Sequence, residues 1–162
     1  MKKIFLTSIL LTISIFTFAQ KQVTIKGGTI VPVEAVKNVR ATEVQVGQNV
    51  DFRVSRDIIV DGMVAIPSGA LVKGVVNKAT RSAVFGIPGR LGIKLKYLNL
   101  PSGDIVNLGA SDIYIVGNYR IAASIAIFCF TCVPLPCGTR AELQTGVEYD
   151  AVVSNNTTVI IK

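Results

Sequence analysis

From Lys21 onward the chain is a succession of short Val/Ile-rich runs, many alternating apolar with polar, broken by Gly, Pro, Asp or Asn. A period of two places alternate side chains on opposite faces of a strand, and few segments carry the 3.6-residue period of a helix. The pattern predicts strands over 23–25, 29–33, 48–53, 57–60, 63–66, 71–78, 91–100, 104–108, 113–116, 148–153 and 158–161. So many short strands in one chain predict an all-β fold, a distorted β-barrel or sandwich of short antiparallel strands. Over 91–100, Leu91, Ile93, Leu95 and Tyr97 alternate with Gly92, Lys94, Lys96 and Leu98. That spacing predicts a strand with one apolar and one basic face.

The reversals between strands have readable chemistry. In "VDGM", Asp61 and Gly62 stand between two apolar runs, and a two-residue type I′ hairpin needs positive φ at both central positions. "IPSGA", "LPSGD" and "LPCGT" repeat one device, with Pro presetting φ at the second turn position and Gly suiting the fourth. Pro67 with Gly69, Pro101 with Gly103, and Pro136 with Gly138 are therefore expected at tight turns. "TRAEL" after Gly138 is expected to return to β-structure.

Two stretches break the pattern. "MKKIFLTSILLTISIFTFAQ" has a basic start at Lys2 and Lys3, about 15 apolar positions and a small residue at Ala19, the layout of a signal peptide over 1–19. An uncleaved anchor is the alternative, but the run falls short of the roughly 20 residues a spanning helix needs. A single β-domain over 20–162 follows, and the expected location is outside the cytoplasm, in the periplasm or outer membrane of a Gram-negative bacterium. The second stretch, "RIAASIAIFCFTCVPLPCGTR", has nineteen uncharged residues between Arg120 and Arg140. As a helix, 121–133 spans about 20 Å against a hydrocarbon core of about 30 Å, and Pro134 and Pro136 stop its extension. It reads as an apolar insertion near 120–137: a hairpin arm packed on the barrel, a segment dipping into a membrane, or an oligomer interface. Ile121, Ile125, Ile127, Phe128, Phe130 and Val133 are its candidate membrane or partner contacts.

Charge and chemistry narrow the function by exclusion. Without Lys2 and Lys3, the chain keeps 15 Lys+Arg against 10 Asp+Glu, net +5. The basic residues are scattered and no aromatic residue is interleaved with them in sequence, so a nucleic-acid stripe is not expected. There is no histidine, which excludes Ser-His-Asp and Cys-His catalysis. Cys129, Cys132 and Cys137 are too few for a four-ligand zinc site without histidine. Cys129 and Cys132 form a C-x-x-C, but inside an apolar run rather than at a helix N-terminus. A disulfide from Cys137 to Cys129 or Cys132 suits an oxidising compartment, and burial of all three as small apolar groups is the other reading. Asp61 lacks the Thr/Ser-Gly context and second copy of an aspartic peptidase. No catalytic residue, metal or cofactor is expected. An enzyme with an unfamiliar Ser/Lys or Asp site, tested at Ser124 or Asp61, is the least favoured reading.

Three segments carry a family resemblance: "GTIVPVEAVKNV", "VQVGQNVDFRVSRDIIVDGMVAIPSGALVKGVV" and "GRLGIKLKYLNLPSGDIVNL". Together they resemble the C-terminal β-domain of the TrbI-like proteins, outer-membrane core subunits of type IV secretion systems. They also resemble short exported bacterial proteins of unknown function, through the added "FGIPGRL". The resemblance covers half the chain, Gly28 to Leu108. It implies a distorted β-barrel and an envelope location. The apolar stretch 120–137 stands where the secretion subunits carry a helical membrane antenna. Those subunits also have a cytoplasmic N-terminus, an anchor and a Pro-rich region, whereas here a leader runs almost straight into the β-domain. The expected function is thus a non-catalytic envelope β-domain with a structural or protein-interaction role, its partner an envelope protein or a second copy. The alternative is an outer-membrane-associated or pore-associated component that uses 121–137.

Overall fold

The computed structural model describes residues 21–83, 86–109, 111–119 and 138–161, and among these there is no helix. The strands are β1 (Lys21–Ile25), β2 (Ile30–Ala35), β3 (Val39–Arg40), β4 (Asn49–Val54), β5 (Ile58–Val60), β6 (Met63–Ile66) and β7 (Leu71–Thr80). They continue with β8 (Arg90–Asn99), β9 (Ile105–Gly109), β10 (Asp112–Val116), β11 (Glu142–Leu143), β12 (Glu148–Val153) and β13 (Thr157–Ile161). The leader 1–19 and the apolar stretch 120–137 lie outside the described residues.

Six strands close a barrel in the order β8, β7, β4, β2, β12, β9 and back to β8, every pairing antiparallel. Closure removes the open edges that a sheet of this size otherwise presents. The ten-residue β8 serves two partners on one side. Its C-terminal part, Tyr97–Asn99, pairs with β9, and its N-terminal part, Arg90–Lys94, pairs with β10. The chain therefore leaves the barrel wall between β9 and β10, and β10 is added outside the ring. Ser111 sits at this corner, 4% exposed. Its hydroxyl donates to the Gly109 carbonyl (2.7 Å) and accepts from the Val152 amide (2.7 Å). Its carbonyl accepts from Leu95 N–H (3.1 Å). One small polar residue thus pairs backbone groups where the ladder divides, as buried amides require.

Alternation fills the barrel. Val31, Val33 and Ala35 on β2, Val50, Phe52 and Val54 on β4, and Leu91, Ile93 and Leu95 on β8 are buried, with Phe52 the largest fully enclosed side chain. Gly74 on β7 makes room for it. A methyl group there would lie 2.9 Å from Ile93 Cγ2 and 3.1 Å from Phe52 Cε2. Within β8 the phase changes. Gly74 faces Leu95 and the adjacent Lys73 faces Tyr97, so Lys96 is an extra residue in a bulge. Leu98 is buried and Tyr97 only half-buried. The strict alternation expected from Leu91 through Tyr97 therefore breaks at Lys96, because a bulge turns every later side chain to the other face.

Pro32 is placed consistently with its missing amide. Its carbonyl accepts from Ser55 N–H (3.0 Å), so the edge facing β4 is where its own N–H is lacking. The β2–β4 ladder runs from Ala35 to Val33 and stops there. Beyond Val54 the chain leaves the wall for the β5–β6 hairpin and rejoins at β7. Gly69 N–H donates to the Val54 carbonyl (2.8 Å) and Val54 N–H to Ala70 (3.0 Å), closing the base of this excursion. The hairpin packs against the two-stranded β1–β13 sheet. Val23, Ile25, Ile66 and Val159 from these elements join the same core as the barrel interior.

Candidate interaction face

The outer surface of β7, β8 and β10 is a three-stranded platform whose composition follows from register. Residues directly opposite one another in antiparallel strands project to the same side. Thr80, Arg90 and Val116 form one row across the platform; Lys78, Gly92 and Tyr114 form the next; Val75, Lys94 and Asp112 form the third. Lys96 is exposed near the bulge. Rows on one face lie about 7 Å apart and strands about 4.8 Å apart, so the patch measures roughly 14 by 10 Å.

Gly92 organises the middle row. The Asn77 side chain lies over Gly92, where a Cβ would stand, and Lys78 reaches Tyr114 with its Nζ 5.9 Å from the ring centroid, within range of a cation–π contact. Tyr114 and Tyr119 are 55% and 59% exposed, unusual for large aromatic side chains. Hydrogen bonding to the Tyr119 hydroxyl, then the nearby phenol of Tyr114, hold the Arg90 guanidinium above its ordinary pKa.

The remainder of the barrel wall treats charge differently. Lys73 pairs with Asp51 (2.6 Å) and Arg53 with Glu34 (2.6 Å), in both cases across neighbouring strands. Arg56 reaches Glu148 (3.9 Å), and Arg40 reaches Glu43 and Glu142 (3.4 Å each). Among the described residues, none of these ion pairs involves Lys78, Arg90, Lys94 or Lys96. Among the described cations carried by the barrel strands, those outside these ion pairs, Lys78, Arg90, Lys94 and Lys96, thus stand on β7 and β8, near the two exposed tyrosines.

The platform adjoins the place where the apolar stretch departs and returns. Asn118 N–H donates to Thr139 Oγ1, and Thr139 N–H donates to the Asn118 carbonyl (3.3 Å). Gly89 N–H donates to Thr139 (3.0 Å) and Gly117 N–H to Gly89 (3.0 Å). The two stems are thus tied side by side at the Arg90 end of β8.

A second feature is a groove of about 360 Å³ at the capped end, walled by Val64, Pro67, Leu100, Pro101 and Ile160 with Ser102. Its walls are apolar. Asp104 lies behind it, accepting from Ser102 Oγ (3.0 Å) and Ile160 N–H (2.9 Å). These bonds tie β13 to the β8–β9 turn and leave no charged group aimed into the groove.

The residues singled out from sequence fall as follows. Asp61 and Gly62 link β5 to β6 with φ of 52° and 76°. Pro101, Ser102 and Gly103 link β8 to β9, with Gly103 N–H donating to Leu100 (3.0 Å) and φ of 95° at Gly103. Pro67 and Gly69, with the same local sequence, do not close a hairpin, because β6 and β7 are unpaired; they return the excursion to β4. Asp57 Oδ1 accepts from Ser68 N–H (2.6 Å) in this turn, a bond that lowers its pKa. Gly138 is buried without positive φ, pressed against the Ile87–Pro88 backbone. Pro136, Cys129, Cys132 and Cys137 lie outside the described residues, as do Ile121, Ile125, Ile127, Phe128, Phe130 and Val133. Among the described residues no cluster of three His, Cys, Asp or Glu side chains could hold a metal.

Lys78, Arg90, Tyr114 and Tyr119 were not marked as a unit by sequence. They come from three separate stretches of the chain, and Lys78, Arg90 and Tyr114 meet through register. The readable signal was Gly92, an isolated glycine inside an otherwise strong strand pattern.

No protein-family model matches the chain, and no curated protein is detectably similar to it in sequence. Among solved structures it is similar to ComB10 of the Com type IV secretion system of Helicobacter pylori, at 15% identity and a TM-score of 0.43. That match covers 86% of this chain and 90% of the other.

Proposed function

We propose that this chain is an exported cell-envelope β-barrel that acts by surface contact rather than catalysis, with the β7–β8–β10 platform as its contact surface. The observation that carries the reading is the sorting of charge around the wall. Ion pairs laid across neighbouring strands join β7 to β4 and β4 to β2. Four cations that enter no ion pair among the described residues stand on β7 and β8, with exposed Tyr114 on β10 and exposed Tyr119 just beyond it. Tyrosine and arginine, both present here, are enriched at contact surfaces relative to the rest of a protein's surface. Export is supported by the leader pattern of 1–19. The absence of histidine removes the commonest general base.

Two measurements test the reading together. Cell fractionation should recover the protein outside the cytoplasm with residues 1–19 removed. A photo-crosslinking residue in place of Tyr114 or Val116 should capture an envelope component, and one in place of Arg53, on the ion-paired wall, should not. Cytoplasmic recovery of the intact chain, or equal capture from both walls, would overturn it.

A further inference from the structure

Resting on the contact-surface reading, we infer that the platform docks on an anionic phospholipid bilayer, its cations meeting lipid phosphates and its tyrosines lying at the headgroup level. Complementarity of charge and shape argues for this partner. The platform is the outer face of three neighbouring strands. Three rows of side chains across three strands present an extended surface, which suits an extended planar partner.

Its cations form a two-dimensional array. Lys78 stands on β7, Arg90 and Lys94 lie two rows apart on β8, and Lys96 lies beyond them. Only Asp112, opposite Lys94, opposes them within these rows. A bilayer carrying anionic headgroups offers phosphates at comparable spacing and many at once, and each lysine or arginine near such a surface adds attraction that salt screens.

The tyrosines point to the same partner. Phenolic rings concentrate at the membrane–water boundary because one end is apolar and the other wet. Tyr114 and Tyr119 both leave their rings in solvent here. Val116 completes the apolar component of the row that contains Arg90. The paired stems at Asn118 and Thr139 lie at this same end of β8. Between them, after Arg120, residues 121–138 carry no charge.

The test uses the exported form of the protein and vesicle co-sedimentation. One set of vesicles is phosphatidylcholine alone; the other is an equimolar mixture of phosphatidylcholine and phosphatidylglycerol. The expected result is binding to the mixture that weakens as salt rises, with little binding to phosphatidylcholine alone. Replacing Lys78, Arg90 and Lys94 by Gln should weaken binding roughly fivefold per cation, on the order of a hundredfold for all three. Tyr114→Ala with Tyr119→Ala should weaken it while leaving the salt dependence in place. Arg53→Gln, on the ion-paired wall, should bind as the parent does. Circular dichroism and thermal unfolding establish that each variant is folded. If the triple variant fails to fold, the single Lys94→Gln variant and the salt series on the parent protein carry the same test.

Equal binding to both vesicle types would assign lipid contact to the uncharged segment and overturn the inference. So would unchanged binding of the folded triple variant. Crosslinking of position 114 to an envelope protein, without vesicle binding, would keep the contact-surface reading and overturn the lipid partner.

Discussion

Gly74 gives a test in which two ordinary effects predict opposite signs. Its φ is not positive, so alanine fits the backbone. Replacing a glycine in such a position usually stabilises a protein by about 0.4–1 kcal/mol, by restricting the unfolded chain. The added methyl group, however, would stand 2.9 Å from Ile93 Cγ2, 3.1 Å from Phe52 Cε2 and 3.2 Å from Leu95 Cδ2. Overpacking of a filled interior costs typically about 1–3 kcal/mol, so packing should win. Gly74→Ala is expected to destabilise by about 1–2 kcal/mol, read as a lower urea midpoint at unchanged slope. The mechanism is specific enough for a double-mutant cycle. Phe52→Leu removes the ring that crowds position 74 and is destabilising alone, because it opens a cavity. Combined with Gly74→Ala, it should cost less than the sum of the two, by at least about 0.5 kcal/mol. A stabilising Gly74→Ala, or strict additivity with Phe52→Leu, would refute the claim that this glycine exists to admit the ring.

Other expected outcomes follow from single contacts. Ser111→Ala strips partners from Val152 N–H and the Gly109 carbonyl, and an unpaired buried group costs about 1–3 kcal/mol. It should therefore lower the melting temperature by several degrees and speed exchange of the Val152 amide; unaltered exchange would show that the amide has another partner. Asp57 has its pKa lowered in the folded state, first by the Ser68 backbone amide. Its contribution is therefore present above its unfolded value near 3.8 and fades as pH falls through the lower folded value. Asp57→Asn should differ from the parent by a constant amount at neutral pH, the gap closing in acid; a gap that persists in acid would contradict the assignment. Asp104→Ala frees Ile160 N–H and Ser102 Oγ, so hydrogen exchange should rise in β13 ahead of the barrel strands.

The strands were legible because the code for them is local. An Asp-Gly between apolar runs specifies its own reversal at 61–62 with positive φ at both residues, whatever the remainder of the chain does. The bulge at Lys96 was not legible, because Leu95, Tyr97 and Leu98 all suit an interior position. The choice among them is made by β7, where Gly74 meets Leu95 and Lys73 meets Tyr97. Barrel closure is likewise a property of pairs. Nothing in β9 or β12 alone announces that Val153 will lie against Leu108. The pairing of β3 with β11 spans two residues per strand, below what alternation can signal, although "TRAEL" did mark the return to β-structure. "IPSG" and "LPSG" show the limit from the other side: one turn sequence, used once to close a hairpin and once to end an excursion, according to whether the flanking strands pair.

The platform illustrates how a glycine lets neighbouring side chains close over a strand. Gly92 is the register partner of both Lys78 and Tyr114, and any side chain there would stand between them. Its Cβ would also collide with Asn77, whose place at a β7 irregularity brings it over β8. The contact between Lys78 and Tyr114 is exposed, so its worth should lie near the lower end of the cation–π range, about 0.5–1 kcal/mol. A cycle of Lys78→Met and Tyr114→Leu isolates that energy, since each change keeps an apolar body in place and removes one pole. Coupling of about 0.5 kcal/mol or more, insensitive to which variant is made first, is expected from thermal or urea unfolding. Zero coupling would mean that Lys78 extends freely into solvent and that the tyrosine stands exposed without its help. The organising role assigned to Gly92 would then fall, even if the cations and tyrosines still act on a partner separately.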